Sequence, residues 1–137
     1  MGTKEVVDLL VTAIDKIEFY WNFYVVLLIA LMGWLVSAKK PLSVSLKSLI
    51  TVGFLIFVAM NMAGLYGSYT FAEALRTDLL AMDQAKGLLH TYAILQRHSF
   101  LPQRTATFWI HLIVGLAVLG AVWLGGFGGS VRPDPKR

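Results

Sequence analysis

The chain has 137 residues, of which 57% are hydrophobic and 15% charged, with no cysteine and a mean hydropathy of +0.67. A soluble domain carries about 45–50% apolar and about 25% charged residues, so this composition excludes a soluble enzyme, a disulfide-stapled secreted domain and a disordered tail. Without cysteine there is no thiolate metal site and no thiol chemistry. The net charge of +4 comes without a basic stripe interleaved with exposed aromatics, so no nucleic-acid partner is expected.

The elements follow in chain order. Residues 1–18 read as an amphipathic N-terminal helix: Val7, Leu10, Ile14 and Ile17 recur at three- and four-residue steps, with Lys4, Glu5, Asp8, Asp15 and Lys16 on other faces. No Gly or Pro separates this helix from the next, so the two can form one long helix. Its acidic balance and the long apolar run behind it argue for an uncleaved anchor over a secretory signal, although Val36-Ser37-Ala38 resembles a cleavage site. Val6 stands where a myristoylation signal has Ser or Thr.

Three charge-free stretches, Phe19–Ala38, Ser48–Ala72 and Thr105–Val131, cover about half of the chain. About 20 residues at about 1.5 Å each cross a hydrocarbon core roughly 30 Å thick. Runs such as Val25–Leu31 do not alternate in polarity, so the spans are helices and not barrel strands. The predicted fold is therefore an all-α membrane protein forming a single membrane domain. Its spans are 19–38, 48–72 and 105–127, with a short basic loop at 39–47 and a polar tail at 128–137. Aromatic residues gather at the span ends (Phe19 to Tyr24, Trp34, Tyr66, Tyr69, Phe71, Phe108, Trp109 and Trp123), where rings with one polar edge suit the headgroup region.

The connection 73–104 is expected to hold a second, long amphipathic helix. Thr70 and Glu73 match a capping box, and the stripe Phe71, Leu75, Leu79, Met82, Ala85, Leu89, Tyr92 must be buried in the interface or against protein. Asp83, His90 and Arg97 read as a solvated charge row, and His90 and His98 are poorly spaced for shared ligation. Pro102 suits the first turn of the third span. Gly125-Gly126-Phe127-Gly128-Gly129-Ser130 reads as a helix terminator.

Lys39, Lys40, Lys47, Arg132, Lys136 and Arg137 lie in short segments close to span ends, which places the 39–47 loop and the C-terminus in the cytoplasm and the N-terminus outside. The expected location is a bacterial inner membrane or another energy-transducing membrane.

No Asp, Glu, Lys or Arg lies inside a span, which argues against proton relays, voltage sensing and ion-coupled transport. Two polar positions stand out. Asn61 lies near the bilayer centre on a face with Gly64 and Ser68, beside a row of small residues, Ala59, Ala63 and Gly67; it reads as interhelical glue or as a pathway-lining amide. His111 lies at the depth of Tyr66 and is expected to hydrogen-bond to it, a haem or metal ligand or a pH-sensitive gate being the sharper readings. Ala117, Ala121 and Gly125 form a second small-residue face. No catalytic constellation, cofactor site or metal site is expected, His111 being a weak cofactor candidate. The foremost expectation is a non-enzymatic subunit or scaffold that packs in the bilayer with other transmembrane chains. The alternative is a homo-oligomeric channel with Asn61 and the Gly/Ala face lining the pathway, and the third is a haem- or quinone-associated subunit using His111.

Overall fold

The computed structural model describes residues 2–38, 41–82, 87 and 89–124. Its elements are α1 (Thr3–Ser37), α2 (Val44–Ala81), α3 (Leu89–Arg97) and α4 (Leu101–Leu124). Three of them, α1, α2 and α4, are long and apolar enough to cross a membrane.

The N-terminal segment and the first apolar stretch form one continuous helix, as the lack of an intervening Gly or Pro allows. At about 1.5 Å per residue α1 and α2 run to roughly 52 and 57 Å, well beyond a hydrocarbon core of roughly 30 Å, whereas α4 at roughly 36 Å fits one crossing. The overhangs of α1 and α2 pack on each other. Val6, Leu10, Ala13 and Ile17 of α1 are buried against Leu65, Tyr69, Ala72, Leu75 and Leu79 of α2. Thr3 Oγ1 reaches Met82 Sδ at 3.7 Å at the tip of this hairpin. Leu75 and Leu79 of the apolar stripe, with Met82 in part, thus find their cover in the chain's own N-terminus, a pairing of segments distant in sequence.

Two expectations for the 73–104 connection change. It does not hold one long helix: its first part continues α2 to Ala81, where Met82 turns to an extended conformation, and α3 is a separate nine-residue helix. Ala85 of the expected stripe and Asp83 of the expected charge row lie outside the described residues. The capping box does not form, because Thr70 sits inside α2 and its hydroxyl donates to the Tyr66 carbonyl at 2.8 Å. Glu73 instead accepts from Arg76 Nη1 at 2.7 Å, from Ser99 Oγ at 3.1 Å and from the Phe100 N–H at 2.7 Å. Arg76 in turn donates to the Leu95 and Gln96 carbonyls at 2.6 and 3.3 Å, holding the end of α3 against α2.

Glu73 and Lys47 together set how α2 and α4 align. α4 has no acidic residue in its first turn and no basic residue in its last. α2 supplies both. The Glu73 carboxylate sits at the N-terminus of α4, and the Lys47 ammonium donates to the Trp123 carbonyl at 3.1 Å near the C-terminus. Negative charge at a helix N-terminus and positive charge at a C-terminus complement the macrodipole. The 26 residues between the two charges rise about 39 Å, which matches the length of α4. Trp123 Nε1 adds a bond to Thr51 Oγ1 at 3.0 Å.

Candidate functional site

The helices meet around His111, whose side chain is 1% exposed. Its Nδ1 faces the Thr107 carbonyl at 3.0 Å, one turn earlier in α4, and its Nε2 faces Asn61 Oδ1 of α2 at 3.1 Å. The Asn61 amide donates from Nδ2 to the Tyr20 carbonyl of α1 at 3.0 Å. Asn61 is itself 3% exposed, so both of its bonds cross between helices inside the fold.

Rings enclose this array. Tyr24 stacks on the His111 imidazole at 4.0 Å between centroids and an interplanar angle of 26°, and Trp21 lies tilted beside it at 5.0 Å. Phe57 of α2 stacks parallel to Tyr24 at 6.2 Å. One turn toward the overhang, Tyr69 OH accepts from Trp21 Nε1 at 3.2 Å and from Thr107 Oγ1 at 3.3 Å. The three long helices therefore all contribute: Tyr20, Trp21 and Tyr24 from α1, Asn61 and Tyr69 from α2, Thr107 and His111 from α4.

Between the Thr107 and Tyr20 carbonyls there are three junctions, with the imidazole and the amide in line. A neutral ring donates from one nitrogen and accepts at the other, so the His111 tautomer decides which of its two junctions carries the hydrogen. The Tyr24 hydroxyl, by contrast, is the one buried side-chain polar atom without a hydrogen-bond partner among the described residues.

The remaining predicted positions separate cleanly. Tyr66 does not reach His111; it is exposed and carries the Arg104 guanidinium 4.5 Å above its ring. The reason is register. Matching the spans by their nearest charges puts Glu73 level with Arg104, but the carboxylate sits on Phe100, four residues or about 6 Å away. That shift carries Asn61 to His111 and leaves Tyr66 on another face of α2. Ser68 is buried, and Gly64 meets the Tyr20 ring so closely that a Cβ there would displace it. Ala59, Ala63 and Gly67 are exposed, Ala117 is exposed and Ala121 half-buried, whereas Gly125 and the rest of the terminator lie outside the described residues. His90 and His98 are exposed, and among the described residues no group of three or more His, Asp or Glu is placed to hold a metal.

Trp21, Tyr24, Tyr69 and Thr107 were legible only as interfacial aromatics and an ordinary span residue. The available signal was spacing. Thr107 and His111 stand four apart on α4, and Tyr20 and Tyr24 four apart on α1, so each pair shares a helix face.

Alongside the small-residue row, Ala13, Lys16, Phe19 and Tyr20 of α1 and Ala63, Gly64, Gly67, Ser68 and Phe71 of α2 line a groove of about 550 Å³. A Cβ added at Gly67 would meet nothing within 4 Å. Comparisons with protein-family models, with curated proteins and with solved structures find no match to this chain.

Proposed function

We propose that this chain crosses the membrane three times and serves as a non-enzymatic subunit, docking a transmembrane helix of another protein in the α1–α2 groove. The observation that carries this reading is the open floor of that groove at Ala63 and Gly67, walled by Phe19 and Phe71. In lipid there is no hydrophobic drive between helices, so association depends on close backbone approach, and small residues permit it. The basic 39–47 loop lies in the cytoplasm in this reading and the α1–α2 overhang outside, in line with the positions of Lys39, Lys40 and Lys47. A pathway lined by Asn61 and a cofactor on His111 have no observation in their favour, since the Asn61 amide already spends its polar atoms on α1 and α4, and His111 faces α2 with Nε2 and a carbonyl of its own helix with Nδ1.

Extraction in mild detergent followed by native mass spectrometry tests the proposal. A foreign chain should be bound to the wild type, lost in Gly67→Ile and Ala63→Leu proteins and kept in an Ala117→Leu protein. Purification as a lone chain or solely as a homo-oligomer, or loss in the Ala117→Leu protein alone, contradicts it.

A further inference from the structure

A second groove runs between α2 and α4, on a face of α2 away from the small-residue row. Its upper part, about 220 Å³, is lined by Met62, Tyr66, Tyr69, Arg104, Thr105, Thr107 and Phe108. Its lower part, about 170 Å³, shares Met62 and Phe108 and continues past Phe54, Gly115 and Leu119 with His111 at its base. The two halves differ in chemistry. The upper one carries a guanidinium and hydroxyls, while the lower one is walled almost wholly by hydrocarbon.

The charge at the upper end is unanswered. Arg104 donates to Thr70 Oγ1 at 3.2 Å and lies over the Tyr66 ring, but among the described residues the ion pair found is Arg76–Glu73, and no carboxylate pairs with Arg104. No carboxylate lines either half of the groove. From Arg104 to Leu119 is a rise of about 22 Å, enough to pass from the headgroup level through one leaflet, which is about half of a roughly 30 Å core. Gly115 keeps the lower half deep. It is buried, and a side chain there would project toward Phe54.

We propose that the α2–α4 groove binds one anionic phospholipid, with its phosphate on Arg104 beside the Tyr66 and Thr105 hydroxyls and one acyl chain along Met62, Phe108, Gly115 and Leu119. A guanidinium with no carboxylate partner favours a head group of net negative charge over a zwitterionic one, because no acidic side chain stands by to receive an ammonium. The inference needs the helices to lie in a bilayer, but it is independent of what occupies the α1–α2 groove.

Native mass spectrometry of the intact chain with added phosphatidylglycerol or phosphatidylcholine reads this site directly. The wild type should retain phosphatidylglycerol in preference, as a single tightly held adduct. An Arg104→Gln protein should hold it about tenfold more weakly, the scale of one lost charge-assisted contact. A Gly115→Leu protein should lose the adduct with Arg104 in place. A Lys4→Gln protein, which removes an exposed cation from α1 outside both grooves, should bind as the wild type does. Equal retention of the two lipids by the wild type overturns the proposal, and that comparison stands even where a variant does not fold. Equal weakening by Lys4→Gln and Arg104→Gln overturns it as general electrostatics. A change in oligomeric state instead of lipid adducts in the groove variants assigns the groove to a helix and overturns it too.

Discussion

Tyr24 lies on the face of the His111 ring and Asn61 at its Nε2 edge, with opposite polar accounts. The Tyr24 hydroxyl has no partner, and its ring supplies the stack. A buried donor left unpaired costs about 1–3 kcal/mol, whereas a polar bond between helices in a bilayer contributes roughly 0.6–2 kcal/mol. A Tyr24→Phe protein keeps the ring and loses the orphan, so it should be as stable as the wild type or about 1 kcal/mol more so. An Asn61→Leu protein leaves His111 Nε2 and the Tyr20 carbonyl without the amide and should lose about 1–2 kcal/mol. Reversible unfolding in mixed detergent micelles measures both. Equal destabilisation by the two substitutions would show that the Tyr24 hydroxyl has a partner.

At the scale of elements, the chain is held by different forces at different heights. Where α1 and α2 overhang the apolar stretches, Val6, Leu10, Leu75 and Leu79 bury against one another, and each such side chain contributes about 1.5–3 kcal/mol if water is the alternative. Lower down, lipid is the alternative, and the Asn61–His111 array and the close fit of Gly64 on Tyr20 take over. Glu73 belongs to the boundary, where it caps α4 and anchors Arg76. A Glu73→Ala protein should therefore lose about 2 kcal/mol, combining a helix-terminus charge with charge-assisted bonds. A Glu18→Ala protein should stay within about 0.5 kcal/mol of wild type, because that side chain is exposed on α1. Matched unfolding curves check the pair, and parity between them would contradict the assigned role of Glu73.

The same particulars explain what could be read from the chain before its fold. The three apolar helices were legible because a charge-free run of 20 residues or more has few other solutions. The continuity of α1 was legible from the lack of Gly and Pro. The partner of His111 was not. Depth along a helix is a one-dimensional ruler: it placed Tyr66 and His111 at one height but carried no information on which face each occupies. Its zero point was also wrong, since Glu73 reaches Phe100 rather than standing level with Arg104. The stripe through Leu75 and Leu79 was legible as needing cover, whereas the identity of that cover, the N-terminal half of α1, depends on a pairing across some seventy residues that no local pattern encodes.

At the scale of the whole molecule, a hairpin of α1 and α2 with α4 laid along α2 puts the 41–47 end and the α1–α2 overhang at opposite ends of the bundle. The 32 residues from Ser45 to Thr77 rise about 48 Å along one helix, more than a roughly 30 Å core. Because the chain has no cysteine, single substitutions give an unambiguous reporter. In intact cells a membrane-impermeant maleimide should label Thr77→Cys and Lys4→Cys proteins, while a Ser45→Cys protein should react only after permeabilisation. The mirror-image pattern would reverse the orientation and leave the crossing intact. Equal labelling of the Ser45→Cys and Thr77→Cys proteins in intact cells would contradict the crossing itself.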